Sequence, residues 1–239
     1  MPYTTNYTIF VNYKNRFMKK LLLLILSLSA GCLCLKAQDH EVALGVRTGH
    51  NVTFGTFAAI SAETTQRLHD NFMVTGGIQY NTIGKTSLEA TPSYIKDYSW
   101  GRLSAEIQLA YTNILSINNF TIGTGIGVTG RWISGKLGYY YRTYGRKTAM
   151  ISEPFNIYYQ LCGNLLPMVD DWDLNVIITN DEMFELDRHY QPSFIAQCQY
   201  YPLQNLGISL GIGCKPTGIF HISADYYQSF LKLGLCYRW

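Results

Sequence analysis

Few residues in this chain could perform chemistry, and the most suggestive of them stand near its carboxyl end. His221 and Ser223 are two positions apart, and Asp225 follows them. A histidine can activate a serine hydroxyl as a nucleophile, and a carboxylate can orient the histidine. Asp225 is only four residues from His221, however, and nothing else around the pair supports a catalytic site. We therefore predict that the protein is not an enzyme and needs no cofactor.

A glycine-rich string lies in the middle of the chain. Residues 125–130 read GIGVTG, which matches the GxGxxG spacing of dinucleotide-binding loops. Such a loop must turn from a strand into a helix, whose first N–H groups then meet the pyrophosphate. Here a strand-like alternation continues to Trp132, and no strand–helix–strand unit surrounds the string. The glycines are better explained as small residues on one face of a strand.

An acidic stretch has part of the spacing of a calcium-binding loop. Asp171, Asp173, Asn175 and Glu182 occupy positions 1, 3, 5 and 12 of such a loop. Position 6 requires a glycine for the sharp turn, and the residue there is Val176. We predict no metal site and interpret the stretch as a solvated acidic loop, with weak divalent-cation binding as the alternative.

The first 37 residues have the features of an export signal. Lys19 and Lys20 precede an apolar run at 21–30 that is too short to cross a bilayer as a helix, and Ala37 precedes a possible cleavage site. We expect residues 1–37 to be an N-terminal extension plus a secretory signal peptide, with translation starting at Met18. Lipidation of Cys32 is a weaker alternative, because Ser29 stands where a lipoprotein signal usually has an aliphatic residue.

The net charge of the chain comes from this leader. Five of the 19 basic residues lie in it and none of the 16 acidic ones, so residues 38–239 carry 14 basic and 16 acidic side chains. No clustered basic face for nucleic acid is evident. Four cysteines remain without CxxC spacing or neighbouring histidines, which argues against zinc and favours free thiols. No apolar run after the leader has the length of a membrane helix.

Period-two alternation of apolar and small polar residues fills most of the remaining chain. This pattern predicts β-strands and offers none of the i+3 and i+4 spacing of a helix. Eight segments show it, at about residues 42–49, 58–65, 72–80, 102–111, 120–132, 194–200, 206–213 and 230–239. The links between them alternate between short turns and the longer stretches 85–99, 133–191 and 215–226, except that the first link, at 51–53, is short where a long one is expected. This alternation predicts short turns on the side of the termini and long loops on the other side.

Alternation alone does not say which face is outside. The face opposite the apolar residues is rich in Gly, Ser, Thr and Gln, which suits the narrow lumen of a barrel. It also carries charges of both signs that could compensate one another inside, and we predict a lumen network of Arg47, Glu63, Arg102, Glu106, Arg131 and Lys232. Aromatic residues gather near the strand ends, where the interfacial girdles of membrane barrels lie.

With these features the chain resembles a small bacterial outer-membrane β-barrel of the OmpA/OmpX type, and also the outer-membrane barrel family common in Bacteroidetes. The resemblance implies a closed antiparallel up-and-down transmembrane β-barrel of eight strands, or ten if NVIIT (175–179) begins another. Residues 38–239 would form this single domain, with a long extracellular insert at 133–191. In such families the last strand is read by the barrel-assembly machinery, which assigns an assembly signal to Leu231, Leu233, Leu235, Tyr237 and Trp239.

The resemblance also implies a place and a function. We expect the Gram-negative outer membrane, with periplasmic termini, and as partners outer-membrane lipid, the barrel-assembly machinery and a surface or envelope component, but no nucleic acid. The predicted function is structural or interactive, with a closed polar lumen and surface loops that contact a partner. The alternatives are an accessory barrel of a secretion or transport complex and a lipid-modifying hydrolase, since His221 and Ser223 resemble the His-x-Ser pair of outer-membrane lipid A deacylases. A passive pore is disfavoured because eight strands leave little space.

Overall fold

The structure is a computed structural model whose described part is a closed β-barrel in one compact unit, Asp39–Trp239. The other unit, Met1–Gln38, lies outside the described residues, so the leader, its cleavage site and Cys32 remain predictions. The described residues are 40–52, 55–114, 117–146, 149–169, 171–181, 192–216 and 226–239. None of them forms a helix long and apolar enough to cross a bilayer.

Twelve antiparallel strands form the wall, each paired with its neighbours in sequence. The first and last strands close the barrel, with Glu41 opposite Arg238 and Asn51 opposite Gln228. The strands are β1 (Glu41–Asn51), β2 (Gly55–His69), β3 (Phe72–Asn81), β4 (Thr86–Tyr98), β5 (Gly101–Ile114), β6 (Ile117–Thr129), β7 (Ile133–Arg146), β8 (Ala149–Asn164), β9 (Trp172–Thr179), β10 (Ser193–Leu203), β11 (Leu206–Pro216) and β12 (Tyr226–Arg238).

The expected strand count is wrong. The barrel is all-β, closed and antiparallel, but it has twelve strands instead of eight or ten. All eight segments that show the alternation are strands. The stretch 85–99, expected to be a loop, contains β4, and the stretch 133–191, expected to be an extracellular insert, contains β7, β8 and β9.

The strands that the sequence reasoning missed have local features that obscure the alternating pattern. β4 contains Pro92, which has no N–H to donate to a ladder. Its pairing with β5 runs to Ala90 opposite Leu109 and resumes only at Ser93 opposite Glu106. β8 contains a bulge between its pairs with Tyr140 and Arg142, and this bulge shifts the alternation by one residue.

Because β4 was missed, the directions expected for the next two strands were also wrong. The terminal end is the barrel end that holds Glu41 and Arg238, and the distal end is the opposite one. Because one strand was missing before them, β5 and β6 run opposite to the expected direction, so that β5 ends and β6 begins at the distal end. The strands β9 and β11 also end at the distal end.

The two faces of the wall follow the alternation. Outward side chains are large and apolar, and Ile126 and Leu44, for example, expose 66% and 47% of their surface. Inward side chains are mostly small or polar, and the buried set includes many Ser, Thr, Asn and Gln residues together with a few aromatic ones such as Tyr140, Tyr158 and Phe230. A barrel exposed to water would place the apolar face inside, so this arrangement suits a lipid-facing exterior.

Candidate functional site: a polar cavity inside the barrel

The barrel lumen contains a cavity of about 280 Å³. Its lining comes from eleven of the twelve strands, all except β6, so the cavity lies on the axis of the barrel. Most of the lining side chains are polar, and the volume admits several water molecules. We call this space the lumen cavity. The ionisable residues that line it are Arg47, Glu63, Glu89, Lys136, Asp181 and Lys232.

These six groups balance in charge, with three bases and three acids. Lys232 on β12 lies 3.3 Å from the carboxylate of Glu63 on β2, across the intervening β1. Both side chains remain partly exposed to the cavity. Solvent screens such a pair, so its contribution to stability is small and its main effect is to neutralise the wall locally.

A second group of charges is more deeply buried. Lys136 Nζ lies 2.9 Å from Glu106 Oε1 and 2.8 Å from Asp181 Oδ2. Gln108 Nε2 donates to the same two carboxylates, at 3.3 and 2.8 Å. Together with Tyr158 these residues form the Lys136 cluster, which ties β5, β7 and β8 to the connection after β9. One ammonium and one amide thus satisfy two carboxylates that would repel each other alone.

Tyr158 lies on β8, three strands away from its partner in this cluster, Glu106 on β5. Its hydroxyl donates to Glu106 Oε1 at 2.9 Å, and the side chain is fully buried. Gly138 and Gly125 lie opposite each other on the strands between them, in line with Tyr158 and Glu106. A Cβ atom at either glycine would collide with the phenol of Tyr158. The glycines therefore form a groove in the inner wall that holds the tyrosine flat.

Arg47 is buried on the opposite side of the lumen. Its guanidinium carbon lies 3.6 Å from the ring centroid of Phe230 and 5.9 Å from that of Phe57. Arginine stacks well on aromatic faces because its planar cation is weakly hydrated. The Phe230 ring in turn covers Gly213, where a Cβ would collide with it. Glycine grooves thus hold aromatic side chains on both sides of the barrel.

The six predicted lumen charges fall into two groups. Arg47, Glu63 and Lys232 line the lumen cavity, and Glu106 belongs to the Lys136 cluster. The other two lie at the terminal end, where Arg102 pairs with Asp97 at 2.6 Å and Arg131 donates to the Pro167 carbonyl at 3.1 Å. The structure therefore brings four of the six into the interior. Their role as a network remains a prediction.

Three ionisable lining residues escaped the sequence reasoning: Glu89, Lys136 and Asp181. All three lie in or beside strands that the sequence reasoning assigned to loops. Alternation of Ile133, Leu137 and Tyr139 with Ser134 and Lys136 is a signal that could have placed Lys136 on an inward face.

The predicted assembly signal lies on β12 and points outward. Leu231, Leu233, Leu235 and Tyr237 are exposed on the lipid-facing side. Trp239 follows them, exchanges backbone hydrogen bonds with His40 at 3.1 and 3.3 Å, and stacks on its ring. The placement joins the first and last strands. The role in assembly stays a prediction.

The other chemical motifs are separated or fall outside the described residues. His221, Ser223, Asp225 and Glu182 are not among those residues, so the hydrolase alternative stays untested. Asp173 and Asn175 lie on β9, whose extended backbone cannot wrap around an ion as a calcium loop does. Within the described ranges no three His, Cys, Asp or Glu residues are grouped to hold a metal. The four cysteines in these ranges are free: Cys162, Cys198, Cys214 and Cys236.

Comparison with known proteins supports the fold. No family model and no curated protein sequence matches the chain. Among solved structures, a KdgM porin in complex with disordered oligogalacturonate is 12% identical, with a TM-score of 0.54 over 83% of this chain and 99% of that one. The translocator domain of the autotransporter NalP from Neisseria meningitidis is 11% identical, with a TM-score of 0.55 over 95% and 98%. A NanC porin is 8% identical, with a TM-score of 0.53 over 82% and 100%.

These similarities concern architecture alone. The chain has the fold of porin-like outer-membrane β-barrels, which confirms the predicted class of protein at that level. Together with the apolar exterior of the barrel, the fold confirms the predicted location in the outer membrane. The narrower resemblances to the OmpA/OmpX type and to the Bacteroidetes family have no matching family model.

Proposed function

We propose that the protein is a narrow outer-membrane channel for the diffusion of small polar solutes, with the lumen cavity on its path. The observation that carries this proposal is the cavity itself, an axial space of about 280 Å³ whose polar lining comes from eleven strands.

The strand count removes the main argument against a pore. An eight-stranded barrel is just wide enough for its interior to fill with side chains, and the diameter grows with the number of strands. Twelve strands give a wider lumen. Many inward positions are also glycine, among them Gly45, Gly127, Gly211 and Gly234, so the wall itself takes up little of that width.

The charge balance limits what such a channel would carry. The KdgM porin that resembles this chain was seen with oligogalacturonate, an anionic oligosaccharide. Three bases and three acids line the lumen cavity here and cancel one another. A polyanion would gain nothing from this lining, which favours solutes of low net charge.

A second candidate function is a closed barrel that acts through its loops. The Lys136 cluster favours it, because Lys136 bridges the β5 wall to Asp181 and the neighbouring Tyr140 and Tyr158 are fully buried. In this case a surface partner, or a secretion or transport complex, would contact the outside of the barrel. In both cases the barrel-assembly machinery would insert the chain among outer-membrane lipids.

Conductance of planar bilayers separates the two functions. The folded protein, purified from outer membranes, is added to a lipid bilayer in about 1 M KCl. This salt concentration screens surface charge. A channel gives reproducible unitary steps. A closed barrel gives a silent bilayer even though the inserted protein is folded, as judged by its resistance to unfolding in SDS without heating.

A further inference from the structure

Three glutamine side chains of the lumen cavity have unused hydrogen-bonding capacity. Gln79 on β3, Gln160 on β8 and Gln197 on β10 line the cavity. Their side-chain amides make no hydrogen bond to any other part of the chain that the structure describes. The nearby Gln108 differs, because its amide is committed to the two carboxylates of the Lys136 cluster.

The three amides surround the axis. In the order of the barrel, β3 and β8 are five strands apart, β8 and β10 are two apart, and β10 and β3 are again five apart. Each amide offers two N–H donors and one carbonyl acceptor. Polar groups in a confined space that leave their potential unused carry a free-energy cost, so water or a solute must satisfy them. Ser61, Thr91 and Thr179 add hydroxyl groups to the same lining.

The six ionisable groups that line the cavity sum to zero charge, and four of them are paired with one another, while Arg47 stacks on Phe230. Lys232 pairs with Glu63, and Lys136 pairs with Asp181 and Glu106. A charged solute would lose hydration on entry and find no net field to compensate it. A neutral solute with several hydroxyl groups loses less hydration, and its hydroxyls can both donate to and accept from the amides.

We propose that the lumen cavity selects small neutral polyhydroxylated solutes, of the size and chemistry of a monosaccharide, over ions of the same size. Gln79, Gln160 and Gln197 are the residues that provide this selectivity. The inference rests on the proposed channel function and adds the class of solute to it.

Swelling of proteoliposomes with three size-matched solutes tests the inference. Glucose is neutral, gluconate is an anion and glucosamine is a cation at neutral pH. The expected result is that glucose enters at least several times faster than either ion. Equal or faster entry of gluconate or glucosamine overturns the inference and leaves the channel intact. Entry of none of the three overturns the channel function as well.

Substitution of the amides supplies the second half of the test. The triple variant Gln79→Met, Gln160→Met and Gln197→Met keeps side-chain length and removes the hydrogen-bonding groups. Glucose entry should fall severalfold while the KCl conductance stays within about twofold of wild type, a change near 0.4 kcal/mol. Unchanged glucose entry in the triple variant overturns the assignment.

A matched control is available on the same strand. Gln199 also points inward from β10, but it donates to Cys236 Sγ at 3.0 Å and does not line the cavity. Gln199→Met should leave glucose entry unchanged, and an equal loss there counts against the three named residues. Should the triple variant fail to fold, Gln197→Met alone is measured, with a smaller decrease in glucose entry expected and no decrease contradicting the proposal.

Discussion

The hydroxyl of Tyr158 donates a hydrogen bond to the carboxylate of Glu106 at 2.9 Å, although β6 and β7 separate their strands. The phenol spans this distance because Gly138 and Gly125 leave the inner wall bare along its path. The same relationship explains the GxGxxG string, whose first glycine makes room for an aromatic side chain. The glycine-rich face is thus a packing surface for an aromatic side chain.

Adding a methyl group to this groove should destabilise the barrel. In Gly125→Ala the new Cβ would overlap the Tyr158 hydroxyl, and overpacking of this kind costs about 1–3 kcal/mol. The measurement is the free energy of unfolding by urea in lipid vesicles. Gly163→Ala on β8 is the matched control, because a Cβ there meets nothing within 4 Å.

The cause of that effect can be isolated by a double-mutant cycle. Tyr158→Ala removes the side chain that the added methyl group would strike first, so Gly125→Ala should cost less in that background than in the wild type. A residual cost is expected there, because the new Cβ would also lie 2.8 Å from the Leu137 carbonyl oxygen. Costs that simply add would mean that Tyr158 does not occupy the groove.

Loss of the hydroxyl alone should have a smaller effect. Tyr158→Phe keeps the ring over the two glycines and removes the hydrogen bond to the Glu106 carboxylate. Hydrogen bonds to charged groups contribute about 1.5–3 kcal/mol, and urea unfolding should show a loss in this range. As a comparison, Tyr159→Phe alters the adjacent residue, and an equal loss there would contradict a specific role for the Tyr158 hydroxyl.

Neutralising Lys136 should change both stability and ion selectivity. Lys136→Met leaves Glu106 and Asp181 without their cation, and breaking a buried pair in this way costs about 3–5 kcal/mol. The lining of the cavity becomes net negative. A unit charge about 4 Å from an ion in water changes its energy by about 1 kcal/mol, or roughly fivefold in permeability.

The selectivity is read from reversal potentials across a KCl gradient. Wild type should be nearly non-selective, and Lys136→Met should favour potassium. Lys96→Met removes the same charge from an exposed position on β4 and should leave the reversal potential unchanged. A Lys136→Met channel as non-selective as the wild type would show that ions do not pass this residue.

The predicted assembly signal leads to a separate prediction. Trp239 hydrogen-bonds and stacks with His40, so it helps to join the first strand to the last. Trp239→Ala should reduce the amount of folded barrel recovered from outer membranes severalfold. Trp100, exposed in the turn after β4 at the same end, is the control, and an equal effect of Trp100→Ala would argue for a general interfacial role.

Three features of the fold were accessible from the sequence. Alternation identified eight strands and the side of each that faces lipid, because inward glycines and outward Leu, Ile and Val differ strongly in size and polarity. The final strand is an example, with Leu233 and Leu235 exposed and Gly234 inside. The short turn after β2 was also recognisable.

The other strands were not recognised because their outward and inward side chains do not differ so clearly in size and polarity. In β7 the three consecutive tyrosines 139–141 conceal the alternation, because Tyr140 points inward while its neighbours point to lipid. Gly123 lies opposite Tyr140, where a Cβ atom would crowd the Tyr140 Cβ. The lumen cavity could not be predicted from local sequence patterns either, because its ion pairs join residues as distant in sequence as Glu63 and Lys232.

The most direct test of the channel is to block it at the lumen cavity. In a background with Cys162, Cys198, Cys214 and Cys236 replaced by alanine, Gln197→Cys places one thiol in the cavity. Ile208→Cys places one on the lipid-facing side as the control. Addition of a charged methanethiosulfonate reagent to the bilayer chamber should sharply reduce the unitary conductance of Gln197→Cys alone. A conductance that persists after mass spectrometry has shown the Gln197→Cys thiol to be modified would contradict passage through the cavity.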